Sequence, residues 1–217
     1  MTDHKAQVAP IVENAARLLA DAKILLDAKS FRTATALAVL AIEEVGKACL
    51  VYWKLHGFDF LTNEKIIRAT HIQKQKVLSA YYFYKESTPI LDAATEKMTG
   101  EQLVHQMMRT PPSKYFPIEA AVKTGSFDTV KQLGFYLDLN DDLKPFSITA
   151  QMGERDAVQQ IEEAEVALTI LDESEQAHFF MAMLYEKGFS DEFAGKHAKI
   201  RRDIMKNHEA QNTAPKD

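Results

Sequence analysis

Residues 33–51 read TATALAVLAIEEVGKACLV, and this stretch decides the fold. From Thr33 to Ile42 no side chain is charged, and Ala34, Ala36, Ala38 and Ala41 keep the surface small. A helix that is apolar all round is a buried, central one. Small side chains let its neighbours approach closely. Ser30 can cap its start and Gly57 can stop it, so the pattern predicts a helix from Phe31 to about His56. Glu43, Glu44 and Lys47 are the only charges from Thr33 to Val51. Glu43 and Lys47 are four apart with the acid first, the better order for an ion pair. On a helix this apolar some of these groups must be at least partly buried, and buried charge needs partners or a job. Two readings follow: an ion-pair network that holds the bundle together, or a polar pocket.

The flanking segments supply neighbours for such a helix. Val8, Ile11, Ala15, Leu18, Ala22 and Leu25 recur at three- and four-residue steps, which predicts a helix beginning near Pro10 and running to about Lys29. Residues 64–86 read as a third helix ending in the aromatic run Tyr81–Tyr84, and 89–108 as a fourth. Thr110-Pro111-Pro112-Ser113, Pro117 and Asn140-Asp141-Asp142 mark 109–152 as an irregular insertion, with one short ordered piece from Lys131 to Leu139. Periodicity returns through 154–187, Gly188 ends it, and a last helix runs to about His208. The expectation is an all-α, up-and-down bundle of four to five main helices, a single domain over 1–209 with a flexible tail over 210–217.

Composition narrows the function. The chain has 217 residues, 46% hydrophobic and 26% charged, as a soluble globular domain does. One Cys rules out an internal disulfide framework. The N-terminus lacks the apolar core of a signal peptide and no stretch approaches the roughly 20 apolar residues of a membrane span, so a cytoplasmic protein with no membrane partner is expected. Twenty-six basic against 31 acidic residues give a net charge of −5, which argues against a generally basic nucleic-acid-coating protein.

Two further constellations stand out. His71 and Lys74 are three apart and share a helix face, which matters if that face meets Glu43 and Glu44. A bundle metal centre of the di-iron kind needs Glu-x-x-His pairs on two helices. Glu44 is followed three residues later by Lys47, so no metal is expected, and no other cofactor is implied. Gly46-Lys47 lies in the middle of a helix, not in a phosphate-cradling loop. The last helix is basic: Lys196, Lys199, Arg201, Arg202 and Lys206 against Asp203. Arg201 and His208 fall within about 20° of one face, whereas Arg202 and His208 are about 120° apart. Arg and His suit metal-independent RNA cleavage: His moves the proton of a 2′-hydroxyl, and Arg holds the phosphate bidentately. Dipole complementation and solubility are the bland alternative for the same residues.

Together these pieces resemble the AbiV-type abortive-infection proteins of the HEPN superfamily. The resemblance rests on the alanine-rich helix closing in Glu43, Glu44, Gly46, Lys47 and Ala48. It continues through His71 and Lys74, then Lys131, Gly134, Tyr136, Asp138 and Pro145. It implies an all-α HEPN bundle, often a homodimer, acting in bacterial defence against phage. It further implies a dormant ribonuclease that blocks translation once activated, with a phage-encoded protein as candidate activator and RNA as candidate substrate. The superfamily's Arg-x(4–6)-His motif is matched by Arg202 with His208, and by Arg201 with His208. A non-catalytic interaction module, in which Glu43, Glu44, Lys47, His71 and Lys74 bind a protein or staple the fold, is the competing expectation.

Overall fold

The computed structural model describes residues 4–93, 115–135 and 152–187, and every regular element among them is helical. Helices α1 (His4–Asp27) and α2 (Phe31–Leu55) form an antiparallel pair. The turn between them closes with Ser30 N–H donating to the Leu25 carbonyl and Lys29, at positive φ, donating to that of Leu26. α2 ends in the same motif. Gly57 takes φ 86° and donates to the Lys54 carbonyl, while Phe58 donates to that of Trp53. The remaining helices are α3 (Asn63–Ile67), α4 (His71–Ala93), α5 (Tyr115–Lys123), α6 (Ser126–Phe135), α7 (Glu154–Leu168) and α8 (Glu175–Lys187), with a 3-10 turn at Ile170–Asp172 before the last.

α2 is the hub that its composition predicts. It packs against α1, α4, α6 and α7. Its Val39, Ile42, Val45, Cys49, Leu50 and Trp53 meet Val77 and Leu78 of α4, Phe127 of α6 and Ile161 of α7 in one core. At about 25 cal/mol per Å2 of apolar surface removed from water, this contiguous core is the main force holding the helices together. Among the described residues no helix is long and apolar enough to cross a membrane.

Several boundaries differ from the sequence reading, each for a local reason. α1 starts at His4 and carries Pro10 inside it, on an exposed position. The expected helix over 64–86 is two, because Thr70 and Gln73 build a new N-terminus between them (Thr70 N–H to Gln73 Oε1, 2.8 Å; Gln73 N–H to Thr70 Oγ1, 3.3 Å). α4 then runs through 87 and 88, where a break was expected, and on to Ala93, and the rest of the helix expected over 89–108 lies outside the described residues. The stretch 109–152 is not wholly irregular. Pro117 sits in the first turn of α5, where its missing N–H costs nothing, and α5 and α6 bury Ile118, Val122 and Phe127. The long helix over 154–187 breaks after Leu168, and Ser174 caps α8 by accepting from Ala177 N–H at 3.2 Å.

Candidate functional site

The site begins at a helix crossing. A Cβ on Gly46 would lie 2.1 Å from the Lys74 carbonyl oxygen, so only glycine lets the first turn of α4 rest on α2. The Thr70–Gln73 box fixes where that turn starts and makes His71 its first residue. Glu43 lies three residues before Gly46 on the same face of α2. The crossing therefore sets His71 on Glu43, with Nδ1 at 2.6 Å from Oε2.

Glu43 is 2% exposed, and all its neighbours are donors. Oε1 accepts from Gln75 Nε2 at 2.9 Å and from Lys131 Nζ at 3.1 Å. Lys131, on α6, is itself buried, and its ammonium lies 2.8 Å from Asp128 Oδ1 and 2.8 Å from His71 Nδ1. Burying a lone carboxylate costs several kcal/mol, and this set of partners offsets it. His71 Nδ1 thus faces an acceptor, Glu43 Oε2, and a donor, the Lys131 ammonium, at once. A proton on Nδ1 bonds to Oε2 and leaves Nε2 as the acceptor, on a side chain that is half exposed.

Glu44 belongs to a different surface. It accepts from Asn14 Nδ2 of α1 at 3.3 Å, and Lys47 Nζ stands 3.6 Å from it. The expected Glu43–Lys47 pair is thus replaced by Glu44–Lys47. Successive helix positions are about 100° apart, and this turns Glu43 inward to α4 and α6 and Glu44 outward to α1. His71 does meet Glu43. Lys74 enters the crossing through its carbonyl at Gly46.

Gln75, Asp128 and Lys131 escaped the site reading. Lys131 was visible as the first residue of the motif that continues to Gly134, but α6 had no helical signal to say which way it pointed. Glu43, His71 and Asp128 offer ligand atoms within 4.8 Å of one another, a set that could hold a cation. The Lys131 ammonium lies among these same atoms, so the charge a metal would supply is already provided by this chain.

A second polar feature lies near the C-terminal end of α2. Trp53 Nε1–H donates to His178 Nδ1 at 3.1 Å, and burial pushes His178 down to about 4. These two residues, with Tyr52, His56, Phe58 and Phe179, line a cleft of about 450 Å3. Elsewhere the buried Tyr82 hydroxyl donates to Glu163, and burial followed by this bond pushes its pKa above the ordinary tyrosine value. The sequence-predicted Arg201, Arg202 and His208 lie outside the described residues.

An all-α bundle centred on a buried small-residue helix, with a polar triad from three helices at its core, defines the class. The chain belongs to the HEPN AbiV family, which it matches over residues 4–169, and so to the HEPN-domain abortive-infection proteins. The matched region contains Glu43, Glu44, Lys47, His71, Lys74 and Lys131, and ends before Arg201. No curated protein and no solved structure matches the chain.

Proposed function

We propose that this protein is a phage-defence effector that stays dormant until infection, then cleaves RNA without a metal and blocks translation. Membership of the AbiV family carries the reading. In this proposal Arg201 or Arg202 holds the scissile phosphate and His208 moves a proton, in a groove shared by two protomers of a cytoplasmic homodimer. Sharing the groove removes the need for one helix to aim Arg202 and His208 at a single point. A phage-encoded protein is the proposed activator. The test is cleavage of cellular RNA in infected cells, followed in their extracts with EDTA present. The wild type cleaves, Arg202→Ala and His208→Ala do not, and a species that is monomeric at micromolar concentration would sink the shared groove.

A second reading has its own observation. Every atom of the Glu43 carboxylate is satisfied within the chain, as expected of a structural staple in a non-catalytic interaction module. That reading predicts that Arg202→Ala and His208→Ala protect against phage as well as the wild type does.

A further inference from the structure

The geometry points to His71 as a general base for RNA phosphodiester transfer, held in its working tautomer by Glu43, which is a positioning residue. This rests on RNA cleavage by this chain, as proposed above, and replaces His208 with His71 as the group that takes the 2′-hydroxyl proton.

Three observations converge. Glu43 Oε2 lies 2.6 Å from Nδ1 and the Lys131 ammonium 2.8 Å from the same nitrogen, and in the tautomer with its proton on Nδ1 the Nε2 lone pair points away from the carboxylate. The His71 side chain is half exposed while Glu43 is buried, so the basic nitrogen can reach a substrate and its orienting group cannot. Lys131, bonded to Glu43 and paired with Asp128, brings a positive charge to the buried carboxylate and offsets the cost of burying it. A buried acid orienting a half-exposed imidazole is an arrangement that general-base histidines use. A staple would need only Lys131 and Gln75 on Glu43. It gives no reason to spend the second oxygen on a solvent-facing histidine.

The step balances without a cofactor. His71 Nε2 takes the 2′-hydroxyl proton, the O2′–P bond forms and the P–O5′ bond breaks. The leaving 5′ oxygen takes a proton from water, and the resulting hydroxide takes the imidazolium proton. The products are a 2′,3′-cyclic phosphate and a 5′-hydroxyl.

The test uses full-length protein from phage-infected cells, a labelled single-stranded RNA oligonucleotide and EDTA. His71→Ala is expected to cleave at least about 100-fold more slowly than wild type, the usual worth of a general base. Added imidazole should restore part of that loss, which a structural role would not permit. Glu43→Gln keeps the side-chain shape and should lower kcat while leaving KM within about twofold. If wild type and His71→Ala cleave at the same rate, the assignment to His71 is wrong and the ribonuclease reading stands. If the wild type does not cleave RNA at all, both fall. A His71→Ala defect that imidazole leaves untouched, with KM raised in Glu43→Gln, would make the cluster structural and overturn the proposal.

Discussion

His71 and His178 both meet α2, at Glu43 and at Trp53, ten residues and about 15 Å apart along its axis. Their surroundings are opposite. His71 has a carboxylate on one ring nitrogen, an ammonium beside it and solvent around half its side chain. His178 is 2% exposed, accepts from an indole, and packs on the Tyr52 ring with centroids 4.6 Å apart. One helix thus meets a half-exposed imidazole set among charged partners and another held neutral as part of the core. Environment, not residue type, separates a candidate catalytic group from a packing one.

The comparison breaks most directly at Glu43. Glu43→Ala leaves Lys131 its Asp128 partner but takes the acceptor from the buried Gln75 amide and from His71, and should cost about 3 kcal/mol in urea denaturation. Gly46→Ala forces α4 off α2 and should cost about 3 kcal/mol, since the atom it meets is backbone that cannot swing aside. A Gly46→Ala protein as stable as wild type would contradict the close crossing.

The His178 end responds to pH instead. The unfolded chain takes up a proton on this residue near 6.5, while the folded one resists until about 4, so the unfolded state binds more protons in between. The contribution is complete above 6.5 and is lost as pH falls toward 4, about 3 kcal/mol over that window. His178→Gln, which keeps an acceptor for Trp53, should flatten that slope, and an unchanged slope would place the titration elsewhere. Smaller still is Glu44→Ala. Its partner Lys47 is 42% exposed and 3.6 Å away, so the loss should stay below about 1 kcal/mol. A loss equal to that of Glu43→Ala would erase the distinction between the two neighbouring acids.

How much of this was legible in the sequence follows from what kind of signal each part leaves. The central helix was legible because burial on all sides removes charge from a whole stretch, and Glu43 stood out against that background. His71 was legible as a candidate, but its contact with Glu43 depends on a crossing angle that no spacing encodes. Gly46 carried the clue, a glycine inside a helix where alanine would be the better former. Asp128 and Lys131 were hidden because α6 follows a proline-marked stretch that reads as loop. The break before α4 was written in Thr70 and Gln73, a capping pair that the strong periodicity on either side concealed.

The most direct test of the polar centre as the working site is phage plating on cells expressing wild type, His71→Ala and His178→Gln at matched protein levels. The account predicts that His71→Ala accumulates normally and loses protection, while His178→Gln protects as the wild type does. Full protection by His71→Ala would contradict it and return the Glu43–His71–Lys131 cluster to the role of a staple.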